Sequence, residues 1–109
     1  MISDVLVDTG SAGTLFSTDI LGGVGIRPQP SDILRTIRGV GGIEAVFTRT
    51  VDRLDLGGAS AHDFEIEVGG MDYGFEINGI LGMDFLRRVR AVIDLSTLEV
   101  LLGSERLPD

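Results

Sequence analysis

At 109 residues with 43% apolar content, the chain can build one modest core and no second one. A formal charge of −8 leaves no basic patch with which to hold nucleic acid or an anionic membrane surface. Zero cysteine excludes disulfides, thiolate metal sites and a cysteine nucleophile, while leaving the redox compartment open.

No apolar run approaches the roughly 18 to 20 residues of a membrane span. The N-terminus also lacks a basic region followed by an apolar stretch. The expectation is a soluble, untargeted chain, with the cytoplasm favoured and no membrane segment. Sixteen glycines, few aromatics and many short apolar stretches point to a mostly β fold.

In chain order, residues 2 to 8 read as a strand running into a turn at Asp8, with Gly10 to Gly13 supplying the loop behind it. Leu15 to Leu21 is mixed, and Thr18 and Asp19 are candidate caps for one short helical turn. Glycines 22, 23 and 25 and prolines 28 and 30 then break regular structure to about Ser31, forming a connector. From Leu34 an apolar–polar alternation leads into Gly39-Val40-Gly41-Gly42 and on through Ile43 to Leu56. This is a β-hairpin with a tip whose glycines accept the positive φ that such turns need.

After Gly57-Gly58, the run from His62 to Val68 alternates with period two, placing Phe64, Ile66 and Val68 inward and Asp63, Glu65 and Glu67 on a wet face. Met83 to Val89 carries Phe85, Leu86 and Val89 at helical spacing. Asp84 in its first turn and Arg87, Arg88 and Arg90 near its end suit the helix dipole, making it the clearest helix in the chain. Ala91 to Leu95 and Leu98 to Leu102 form a closing hairpin around Ser96-Thr97, with Asp94 a turn-side carboxylate, and Ser104 to Asp109 reads as a polar tail.

The residues that carry chemistry are Asp8-Thr9-Gly10-Ser11, following the apolar run Val5-Leu6-Val7, and Gly79-Ile80-Leu81-Gly82-Met83-Asp84-Phe85-Leu86 some seventy residues on. Peptide hydrolysis without a metal or a nucleophilic side chain needs one group to take a proton from water and another to protonate the leaving amine. Two carboxylates sharing a proton do both, because like charges held close cannot both ionise. Asp-Thr-Gly occurs once here, so the chain supplies half of such a pair, and two-fold symmetry between copies supplies the other half.

Together with Arg38-Gly39-Val40-Gly41-Gly42 and Val92-Ile93-Asp94-Leu95, these segments resemble, in the expected order and over nearly the whole length, the retropepsin-like aspartic proteases, in particular their small bacterial single-lobe members. The resemblance implies an all-β acid-protease barrel, closed or partly opened, with one short helix near the C-terminus. It implies an aspartic endopeptidase that needs no cofactor, acts on a peptide or protein, and is formed by a homodimer in which Asp8 of each subunit is the catalytic acid–base group. By the same resemblance Thr9 bonds across the dimer axis, Gly10 leaves its N–H free to hold the carboxylates coplanar, and the hydroxyl of Ser11 donates to the ionised carboxylate, favouring a lower pH optimum. The tip at Gly39, Val40, Gly41 and Gly42 becomes a flap closing over bound peptide. Ile37, Val40, Ile80 and Leu81 line pockets suited to apolar side chains.

Other constellations are weaker. His62 is the only histidine and lacks a G-x-S-x-G elbow, so a strand-edge residue is the simpler reading. Glu65 and Glu67 have a spacing open to paired-carboxylate chemistry, yet read as a solvated strand face. The glycine clusters match no phosphate-binding loop, and the chain has no lysine.

Residues 1–109 thus read as one retropepsin-like domain in which only seven residues precede Asp8, so that the family's N-terminal hairpin is missing from it and an open edge is expected beside Met1 to Val7. That feature is what favours the competing expectation, an inactive module that keeps the fold for dimerisation or peptide binding.

Overall fold

The computed structural model describes residues 1–39, 42–70 and 77–105. Its elements are β1 (Val5–Val7), β2 (Leu15–Ser17), α1 (Thr18–Gly22), β3 (Arg35–Gly39), β4 (Gly42–Leu56), β5 (Ala59–Gly69), β6 (Gly79–Leu81), α2 (Met83–Arg88), β7 (Val92–Asp94) and β8 (Glu99–Leu101). The class is all-β, as the sequence suggests, with two short helices instead of one. Among the described residues the strands form an open six-stranded sheet in the order β1-β6-β2-β5-β4-β3 and a separate β7-β8 pair, with no barrel closure.

The first strand is shorter than expected because Asp4 sits at φ 58, a left-handed conformation that interrupts extended backbone. It lies at one edge of the sheet, paired only to β6, in parallel register Val5↔Gly79 to Val7↔Leu81. Helix α1 is capped by Ser17, one residue before the expected Thr18; the Ser17 Oγ accepts the Asp19 N–H at 3.2 Å. The connector that follows is tied down by Arg49, whose guanidinium meets Asp32 at 2.9 Å. The backbone N–H of Gln29, and then Arg49, hold the Asp32 carboxyl below its usual range.

The two long strands β4 and β5 pair antiparallel through a turn at Gly57-Gly58, where Gly57 adopts φ +57. At its other end β4 pairs with β3, closing at Gly39↔Gly42. Val40 and Gly41, the expected tip, lie outside the described residues. Alternation along β5 is as read: Phe64, Ile66 and Val68 are buried, and they join Phe16, Phe47, Leu81, Phe85 and Val89 in one core. Phe64 and Phe85 meet edge to face at 5.7 Å.

The segment read as a polar tail is partly structural. Glu105 takes the His62 Nδ1 at 2.7 Å, the His62 N–H at 2.9 Å and the Arg88 guanidinium at 3.1 Å. These bonds, from His62 first, pull the Glu105 carboxyl down to about 2. His62 is therefore an edge residue that helps fasten the chain's end to β5 and α2. Residues 106–109 lie outside the described ones.

Candidate active site

Asp8 follows β1 directly, and its position is set by backbone. Its N–H donates to the Leu81 carbonyl at 3.0 Å, extending the β1-β6 pairing by one bond, and its carbonyl accepts the Ser11 N–H at 3.2 Å to close the turn. The Gly10 N–H donates to Asp8 Oδ1 at 2.9 Å, so the carboxylate is held by the loop it begins. A Cβ on Gly10 would stand 3.2 Å from that oxygen, a tight approach that the carboxylate would have to ease.

The loop is then locked to the start of α2. The Met83 N–H donates to the Ser11 carbonyl at 2.8 Å and the Asp84 N–H to the Ala12 carbonyl at 3.1 Å. Gly82 allows this approach: a Cβ there would lie 2.6 Å from the Gly13 carbonyl carbon, and closer to its oxygen. Thr14, wholly buried, donates its hydroxyl to Asp84 Oδ1 at 2.7 Å and accepts the Gly82 N–H at 3.1 Å. The Asp84 carboxylate also takes the N–H groups of Thr14 at 3.3 Å and Phe85 at 2.7 Å.

Asp84 is therefore the clamp that joins two distant stretches of chain as well as a first-turn acid of α2. Sequence reasoning missed Thr14, which carries no signal beyond being a lone hydroxyl between Gly13 and Leu15; its partner could be found only through the fold.

The other candidate residues are distributed as follows. Thr9 is exposed and borders an open cavity of about 210 Å³ with Met83, Leu86, Arg87, Ala91 and Ile93. Ser11 departs from expectation: its hydroxyl donates to the Gly13 carbonyl at 2.8 Å instead of the Asp8 carboxylate, because the turn aims it along the loop. The bond on which a lowered pH optimum depended is spent there.

Ile80 and Leu81 are 4% and 5% exposed and face opposite sides of β6. Leu81 belongs to the main core, and as placed it offers little surface to a ligand. Ile37, Gly39 and Gly42 are on the β3-β4 hairpin, and Val40 and Gly41 are outside the described residues.

Glu67 differs from the wet-face reading. It is half-buried against the Asp8 loop, with Oε1 2.5 Å from where a Cβ on Gly13 would be. Burial pushes its carboxyl above the usual range, opposed by nearby Arg35 and reinforced by Asp84 and Glu65. Asp94, by contrast, is the turn-side carboxylate expected. It accepts the Ser96 hydroxyl at 2.6 Å and the Ser96 N–H at 2.9 Å, which lower its pKa. No helix among the described residues is long and apolar enough to cross a membrane.

Comparison with known proteins agrees with this geometry. The sequence profile of the family described as aspartyl protease matches residues 3–85, from the start of the Asp8 strand into α2. Among solved structures, a retropepsin-like aspartic protease from Rickettsia conorii superposes with a TM-score of 0.65 at 23% identity, covering 87% of this chain and 76% of that one. At that identity the likeness concerns the fold. A search of curated proteins returns no match.

Proposed function

Since this chain belongs to the aspartyl protease family, we propose that it is an aspartic endopeptidase whose active site forms where two copies bring their Asp8 carboxylates together. The observation that carries the reading is the turn itself. Asp8 is presented at a strand end, its Oδ1 engaged by the Gly10 N–H at 2.9 Å, with the loop fastened to β6 and α2. A turn held this firmly costs little further ordering when the second copy arrives.

In this reading, one Asp8 carboxylate takes a proton from a water as that water attacks the substrate carbonyl, and the protonated Asp8 of the other copy donates to the carbonyl oxygen. The tetrahedral gem-diol collapses as the Asp8 that took the water proton gives it to the departing amine while the other Asp8 takes back a hydroxyl proton, which restores the pair with its one shared proton. Gly10 directs its N–H to the carboxylate, and in this reading Thr9, which is exposed, meets its counterpart across the two-fold axis. Ser11 supports the loop through Gly13. In the same reading the β3-β4 hairpin, which carries Ile37, Gly39 and Gly42, is the flap that closes over the peptide backbone and excludes bulk water, and Ile80, with Leu81 behind it, shapes the floor.

The test is hydrolysis of a denatured protein between about pH 3.5 and 7 by wild type and Asp8→Asn. The reading predicts cleavage blocked by a statine-type transition-state analogue and lost in the variant. Cleavage that survives in Asp8→Asn would remove Asp8 from the chemistry.

A further inference from the structure

Strand register places one row of side chains across five strands on the face of the sheet turned away from the core. Leu6 pairs with Ile80, Ile80 with Leu15, Leu15 with Glu67, and Glu67 with Thr48. Registered partners share a face, and the neighbouring positions Phe16, Phe47, Val68 and Leu81 are the ones that enter the core. The row starts two residues before Asp8 and ends on β4, the strand that continues into the β3-β4 hairpin. A peptide lying between Asp8 and that hairpin crosses it.

Within this row Leu15 and Ile80 are buried, which leaves Leu6, 41% exposed, at one end and the half-buried Glu67 and Thr48 toward the other, with Glu67 the only charged member. The Glu67 carboxylate fills the space that a side chain at Gly13 would take, and Gly13 lies only three residues beyond Gly10. A fixed, partly desolvated negative charge thus stands beside the catalytic loop.

We infer that Glu67 is a specificity-determining residue that selects substrates with a lysine or arginine side chain close to the scissile bond. This rests on the endopeptidase reading above. It also alters the expectation of purely apolar pockets, since the row is apolar from Leu6 to Leu15 and becomes acidic at Glu67.

The charged groups facing Glu67 are Arg35 from β3, Asp84 from α2 and Glu65 from its own strand. Arg35, exposed at the base of the hairpin, is the cation a substrate side chain competes with. Because burial raises the Glu67 carboxyl, the charge that attracts a basic side chain is fully developed only above its raised pKa. The preference therefore strengthens as pH rises and fades in acid.

The experiment uses matched fluorogenic peptides that carry lysine or norleucine at each position flanking the cleaved bond, with wild type, Asp8→Asn, Glu67→Gln, Glu67→Lys and Arg35→Gln. At pH 6 wild type should favour lysine at one position by about five- to tenfold in kcat/KM, the scale of a half-exposed ion pair. Glu67→Gln should bring that ratio close to unity, Arg35→Gln should raise it, and Glu67→Lys should invert it toward a glutamate peptide, a gain that misfolding cannot produce. A wild type with no lysine preference, or a preference that survives Glu67→Gln, overturns the inference. If cleavage depends on Asp8 while either of those results appears, only the specificity assignment falls; if wild type cuts no peptide, the peptidase reading falls and takes this one with it.

Discussion

The Asp8 loop and the β7-β8 hairpin are built on opposite plans. In the loop, residues 8–14 are held by backbone bonds to Leu81, Met83 and Asp84 and by the Thr14–Asp84 clamp, which tie both of its ends to distant parts of the chain. The hairpin consists of two three-residue strands paired only with each other, and Val92, Ile93, Leu95, Leu98, Val100 and Leu101 are all exposed. One region spends its sequence on fixing a carboxylate in place; the other leaves apolar surface outside, where local pairing alone is a weak source of stability. The contrast teaches where damage should propagate: substitutions in the loop should cost the fold, and substitutions in the hairpin should barely register on the isolated chain.

The sharpest way to break that contrast is Gly82→Ala. The new methyl would overlap the Gly13 backbone, which cannot yield without releasing the loop, so a loss of about 3 kcal/mol or more is expected in urea unfolding. Next is Asp84→Ala, which leaves the buried Thr14 hydroxyl and two backbone N–H groups without their acceptor. A loss of about 2 to 4 kcal/mol is expected from the same measurement. Thr14→Val should cost less, about 1 to 3 kcal/mol, since it leaves the Gly82 N–H without its acceptor and removes one donor from a carboxylate that keeps two others.

Two glutamates outside the hairpin respond to pH with opposite sign. Glu105, held down to about 2, stabilises the fold above its ordinary unfolded value of 4.5, and that contribution is lost as pH falls through about 2. Glu67, raised by burial, favours the fold in its protonated form, a contribution fully present below the ordinary value and lost as pH rises through its raised folded value. Urea midpoints should therefore show Glu105→Gln less stable than wild type near pH 6, with the gap closing in strong acid. Glu67→Gln should be more stable than wild type at neutral pH, again with the gap closing in acid.

The smallest effect belongs to the hairpin turn. Leu98 is 87% exposed at φ 58, so Leu98→Gly relieves a left-handed strain and should gain about 0.5 kcal/mol after the entropy cost of glycine.

Much of this was legible in the sequence, because strands and turns announce themselves locally. The alternation at Phe64, Ile66 and Val68, the glycines at 57 and 58, and the Asp8-Thr9-Gly10 turn carry their own signals. What could not be read were features made by strand order. Thr14 meets Asp84 only because β2 lies beside β6, and Glu67, on the same face as the exposed Glu65, is half-buried because the loop at Gly13 leading into β2 lies against it. Glu105, in what reads as a polar tail, became a fastening point through partners 17 and 43 residues away. The Ser11 hydroxyl was misread for a local reason, since the turn offers it the nearer carbonyl of Gly13.

The central claim is that two copies share one active site, and subunit mixing tests it most directly. Wild type and Asp8→Asn are combined at fixed total concentration and allowed to exchange, and peptide cleavage is followed against the wild-type fraction. If both Asp8 carboxylates are required, activity falls as the square of that fraction, so an equal mixture retains about a quarter of it. A linear fall, with about half retained, would mean that a single copy carries out the chemistry alone and would contradict the account.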